Sequence, residues 1–205
     1  MNQPASILRT GRKFDQVLEG ARDVFMADGF EGASVDDIAR AAGVSKATLY
    51  SYFPDKRLLF MEVARHECAR QAGDAVDLIE TCCTPQQVLQ VAARHILSVI
   101  LSDFGQKMFR ICVAEADRFP DLGRQFYESG PMMVRARVKE YLEQATARGE
   151  LKIEDFDLAA DQLAELCKAD LFPRLVFNID TEFTEAERER VITGAVETFL
   201  ARYGA

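Results

Sequence analysis

Apolar residues recur along the chain at three- and four-residue spacing, and no stretch alternates as a strand would. Val17, Leu18, Ala21, Val24 and Phe25 form one stripe, which predicts a helix over residues 12–28 stopped by Gly29. Val35, Ile38, Ala39 and Ala42 form a shorter stripe behind Ser34, and Asp37 three positions on gives a capping-box-like start. Gly43 can take the positive φ of a sharp turn, after which Ser45 caps a third helix over residues 46–52, ended by Pro54. Asp55 caps a fourth helix to about residue 79, and Thr84-Pro85 opens a fifth to about residue 101. Residues 104–116 read as a sixth, broken at Phe119-Pro120; a short segment, 121–128, follows. A seventh covers 131–148 and an eighth 157–177, with a kink expected at Pro173, whose ring would press on the Ala169 carbonyl. Thr184 and Glu187 make a capping box for a ninth, to about residue 203. The expected fold is all-α, with about nine helices and no strand; residues 1–11, polar and aperiodic, are expected to be disordered.

Two short helices joined by a glycine-containing turn are the helix-turn-helix arrangement. Its second helix carries Lys46, Thr48, Tyr50 and Tyr52, groups suited to phosphates and base edges, with Ala47 small enough for close backbone approach. Lys56 lies in the first turn of the next helix, where it opposes the helix dipole but sits beside free N–H groups that favour an anion; it reads as a phosphate contact. With the caps Ser34 and Ser45, these residues are the candidate DNA-binding set.

The run V-x-x-I-A-x-x-A-G-V-S-K-x-T-L-Y-x-Y-F-x-x-K, from Val35 to Lys56, resembles the DNA-binding domain of the TetR family of transcriptional regulators, over roughly residues 12–60. Ala47 stands where Gly is frequent and Ser51 where a larger residue such as His is, so both bear on which bases are read. The segments RICVAEADRFPDLGRQFY and RARVKEYLEQATARGEL are similar to the ligand-binding domain of AcrR/AefR-type members. The resemblance implies residues 1–55 as the DNA-binding domain and 56–205 as a ligand-binding and dimerisation domain. It also implies a homodimer on a double-stranded, palindromic operator, usually a repressor released by its ligand. A symmetric pair makes physical sense, because one short recognition helix reads only a few base pairs.

A net charge of −8 at first argues against a nucleic-acid partner. Its distribution alters that: residues 1–60 hold 8 Lys+Arg against 8 Asp+Glu, so the acidity lies in the rest of the chain, while Arg9, Arg12 and Lys13 make a basic arm. Five cysteines without a CxxC pair or metal-ligand spacing suggest reduced thiols and a cytoplasmic protein, with no metal and no cofactor. No apolar stretch nears the length of a membrane span, and no leader-like run begins the chain. Nucleophile-elbow, HExxH, P-loop and dinucleotide-binding signatures are absent, which argues against an enzyme.

The effector candidates are Phe104, Met108, Phe109, Cys112, Phe126, Met133 and Phe172, aromatic and flexible apolar side chains of the kind that line an adaptable pocket. Few charges interrupt them, so the expected effector is hydrophobic or amphipathic. Leu163, Leu166, Val191, Ala195 and Phe199 are the candidate dimer face. Two alternatives remain: a DNA-binding protein without an effector, and a redox-responsive regulator using vicinal Cys82 and Cys83. Against the latter, adjacent cysteines rarely form good disulfides and no basic residue flanks these two.

Overall fold

The computed structural model describes residues 11–79 and 84–205, with side chains for 11–67 and 84–205. Arg9, Cys82 and Cys83, and the stretch before residue 11, lie outside the described residues. Among the described residues there are eleven α-helices and no strand beyond one isolated bridge, Leu151 to Gly204. The chain forms two compact units: one up to Glu67 together with Lys107–Phe126, the other Cys68–Gln106 together with Tyr127–Ala205.

In the first unit, α1 (Arg12–Gly32) buries Phe14, Val17, Leu18, Ala21, Val24 and Phe25, the expected stripe and one residue more. Helical geometry lapses at Gly29 and resumes for one further turn, which drops Phe30 into the core. There Phe30 meets Phe60 at 5.3 Å and Phe119 at 5.9 Å, edge to face, and Phe60 meets Phe25 at 5.0 Å. The helices α2 (Val35–Ala41) and α3 (Lys46–Tyr52) pack beside α1 through Ile38, Ala39, Leu49 and Phe53. The unit also takes in the first half of α4 (Lys56–Ile79) and most of α6 (Asp103–Glu115) and α7 (Pro120–Ser129). The short segment expected over residues 121–128 is a helix in its own right, begun by the proline that was expected to break its predecessor.

The second unit is built from α5 (Pro85–Leu101), α8 (Pro131–Ala147), α9 (Phe156–Leu166), α10 (Leu171–Val176) and α11 (Glu185–Tyr203). Their inward faces share one core that includes Leu89, Leu97, Leu142, Leu163, Ile192 and Phe199. Thr84 with Gln87 and Thr184 with Glu187 form capping boxes, and Asp155 accepts from the Leu158 amide at 3.0 Å. After α8, Lys152 N donates to Tyr203 O at 2.8 Å and Ala205 N to Glu150 O at 3.2 Å, tying the end of α11 to that segment.

Two expectations change here. The single kinked helix over residues 157–177 is two helices. The break comes at Asp170, which sits at φ 65°, ψ −55° with Leu171 N donating to Ala169 O at 2.7 Å, a γ-turn. Pro173 then falls in the first turn of α10, where its missing N–H costs nothing. The proposed dimer face also fails as an exposed surface: Leu163, Val191, Ala195 and Phe199 are buried within the unit's own core and Leu166 is half-buried against it. One apolar stripe per helix was available, and the core took it.

Candidate DNA-binding site

The site is the face presented by α2, its turn and α3. Ser34 Oγ accepts from the Asp37 amide at 3.1 Å and donates to its carboxylate at 2.5 Å, while Arg40 holds the other carboxylate oxygen at 2.6 Å. Those bonds, from Ser34 first and then Arg40, keep the Asp37 carboxyl below its ordinary range. Gly43 turns the chain at φ 63°, with Gly43 N on Arg40 O and Val44 N on Ala39 O. Ser45 then accepts from the Thr48 amide at 3.1 Å and bonds the Thr48 hydroxyl at 2.9 Å, starting α3.

Buried Leu49 and Phe53 fix α3 on the unit, leaving Ser45, Lys46, Ala47 and Tyr50 exposed. Ser34 is exposed too, whereas Thr48 and Tyr52 are half-buried, Tyr52 lying edge-on to Phe14 at 5.8 Å. Lys46 Nζ lies 2.6 Å from Asp36 Oδ1, and that bond raises the lysine's pKa. Lys56 turns inward. Its Nζ donates to Phe30 O at 2.7 Å and Ala33 O at 3.0 Å and lies 4.6 Å over the Phe30 ring, so two of three donors brace the end of α1. Beside it, Arg57 pairs with Asp55 and stacks 5.3 Å from Phe119.

Three contributions are invisible in the spacing alone. Gly20 has no side chain because the backbone of Ala41 and Ala42 passes there; a β-carbon would stand 2.5 Å from Ala42 N. A glycine in mid-stripe between Leu18 and Ala21 was the one signal for it. Asp36 as the partner of Lys46, and the carbonyls that take Lys56, are contacts between separate elements with no mark in the sequence.

The effector candidates divide between the units. Met108, Phe109, Cys112 and Phe126 belong to the first, and Phe104, Met133 and Phe172 to the second. In the first unit a shallow indentation of about 170 Å³, counted out to open solvent, is lined by Phe60, Met61, Ala64, Cys112, Leu122, Gln125 and Phe126. It encloses essentially no space that a water-sized molecule could occupy, so it is not a formed ligand cavity. Among the described residues no cluster of three metal-ligating side chains occurs, and no single helix is long and apolar enough to cross a membrane.

Residues 17–63 match the family described as bacterial regulatory proteins, tetR family. Residues 87–205, more than half of the chain, match the AefR-like transcriptional repressor C-terminal domain. The chain belongs to the TetR family. This TetR-family protein is 31% identical to a protein of Mesorhizobium loti MAFF303099 described as a TetR-family transcriptional regulator, covering 95% of this chain and 98% of that one with a TM-score of 0.88. It is 36% identical to the flavonoid-responsive regulator FrrA, again over 95% and 98%, with a TM-score of 0.78. Over 57 residues it is 42% identical to the transcriptional repressor AcnR of Corynebacterium efficiens; that match spans 28% of this chain and only 30% of the relative. The TetR-family protein is therefore a DNA-binding transcriptional regulator and not an enzyme.

Proposed function

We propose that this regulator works in the cytoplasm as a homodimeric repressor on a palindromic operator and is released by a hydrophobic or amphipathic small molecule. The observation that carries the reading is α3: a helix capped by Ser45, anchored by Leu49 and Phe53, and presenting Lys46, Ala47 and Tyr50 outward. A helix of this kind in a major groove reads a few base pairs, and a two-fold partner sets a second half-site about 34 Å away. Residues 1–55 carry DNA contact and 56–205 effector binding and assembly in this proposal, although compactness divides the chain differently and puts Lys107–Phe126 with the DNA-contacting unit.

The likeness to a flavonoid-responsive relative supports an apolar or aromatic effector, for which Met108, Phe109, Cys112 and Phe126 of the first unit and Phe104, Met133 and Phe172 of the second remain the candidate contacts. Dimer contact falls to outward residues: Leu158 of α9, Phe177 and Ile179 after α10, and Thr193, Gly194 and Ala201 of α11. In this proposal α4, whose first half belongs to one unit and whose second half belongs to the other, carries the effector's influence to the recognition helix.

Linkage gives the test. A ligand that weakens operator binding must itself bind more weakly, by the same factor, when operator is present. Calorimetric titration of a flavonoid aglycone and a panel of amphipathic small molecules, with and without the duplex recovered by selection on random DNA, reads that factor. A binding ligand with the same dissociation constant in both titrations sinks the release mechanism.

A further inference from the structure

Lys46 is the sole charged residue of α3, and the structure does not leave it alone. Asp36, in the first turn of α2, holds its ammonium at 2.6 Å, with the two side chains 62% and 51% exposed. The neighbouring carboxylate, Asp37, is already matched by Ser34 and Arg40. The charge that α3 brings to its exposed face is thus cancelled by one particular acid on the preceding helix.

We infer that Asp36 is a positioning residue that makes Lys46 a reader of base edges and keeps it from acting as a phosphate ligand. The inference rests on the reading that α3 enters the major groove. An ammonium has three donors; one goes to Asp36 and two remain. A pair without net charge gains little from displacing counterions at a phosphate, whereas two N–H groups biased toward one direction suit the adjacent N7 and O6 acceptors of guanine. An exposed pair shifts an equilibrium by no more than about fivefold, so Asp36 directs Lys46 without locking it. Freed of Asp36, the same lysine becomes a mobile point charge that serves any sequence.

The test uses the full chain and its Asp36→Asn, Asp36→Glu, Lys46→Met, Tyr50→Ala and Asp36→Asn/Lys46→Met variants. Each is titrated across salt concentrations against a short random-sequence duplex and the duplex recovered by selection, and selection is then repeated. Asp36→Asn is expected to bind the random duplex about two- to fivefold more tightly, with a salt slope steeper by about one and a lost preference at one base pair. Asp36→Glu, which keeps the charge, is expected to retain the original slope and sequence. In the Lys46→Met background Asp36→Asn should change none of these.

An unchanged slope and an unchanged selected sequence in Asp36→Asn overturn the inference. The same gain in the Lys46→Met background also overturns it, because Asp36 would then simply repel phosphate. If Tyr50→Ala weakens binding to the selected duplex while Asp36→Asn does nothing, this inference falls and the docking of α3 stands. If Tyr50→Ala has no effect, the docking reading falls and takes the inference with it.

Discussion

At Gly20 a β-carbon would stand 2.5 Å from Ala42 N and 2.7 Å from Ala42 Cα, backbone atoms that cannot turn aside. Gly20→Ala should therefore cost about 1–3 kcal/mol in chemical denaturation despite its better helix propensity, and DNA binding should fall with it as α2 shifts on α1. Gly123→Ala, where nothing lies within 4 Å, is the control and should be neutral or gain up to about 1 kcal/mol. Lys56 invites a similar separation of roles. Its two carbonyl bonds and the Phe30 ring predict a loss of about 1–3 kcal/mol for Lys56→Met, visible without DNA. A phosphate contact by its third donor would show independently, as a salt slope smaller by about one at temperatures where the variant is folded. A normal slope with a lowered denaturation midpoint would leave it as a brace alone.

Helix starts were legible because their signals are local: Ser34, Ser45, Thr84 and Thr184 each cap a helix with a side chain three positions from its partner. The break between α9 and α10 was not. Asp170 holds its positive φ with its carboxylate gripped by Arg174 at 3.5 Å and by Arg190 of α11, so the turn depends in part on a residue 20 positions away in sequence. Pro173 misled for the same reason, since a proline marks a kink in mid-helix and a start in a first turn. Pro173→Ala should accordingly change stability by well under the roughly 3 kcal/mol of a mid-helix proline. The site shows the same division: the exposed Lys46 and Tyr50 of α3 could be read from spacing, and the partners Asp36 and Phe30 could not. The caps also carry a pH dependence. Bonds from Thr184 and Arg174 hold the Glu187 carboxyl below its ordinary range, as Ser34 and Arg40 do for Asp37. A lowered folded-state value means that the stabilisation is complete above the ordinary carboxylate range, about pH 4, and is lost as the pH falls below it. Thr184→Ala should lower the urea midpoint at pH 7 by the equivalent of about 1 kcal/mol and flatten its fall between about pH 5 and 3.

For the whole molecule, the burial of Ala195 changes what a charge there would do. Ala195→Glu places a carboxylate inside the core of the second unit, so loss of folded protein is expected, beyond any loss of assembly. Assembly is better probed at Phe177 and Ile179, 76% and 68% exposed in the single chain. Phe177→Glu should leave a monomer's stability within about 0.5 kcal/mol and move a dimer toward monomer in light scattering. A monomer for the unmutated protein at micromolar concentration refutes the dimer. Among the described residues each unit holds one buried thiol, Cys112 in the first and Cys167 in the second. Burial pushes the Cys167 thiol up to about 12, so it is almost all protonated at pH 8 and shielded from an alkylating reagent. Labelling must wait for the surrounding helices to open, and its rate then measures how often they do. With the other three cysteines replaced by serine, pulses of iodoacetamide followed by peptide mass spectrometry would time the two units side by side in one sample. Adding operator or effector would show which of them each ligand holds shut.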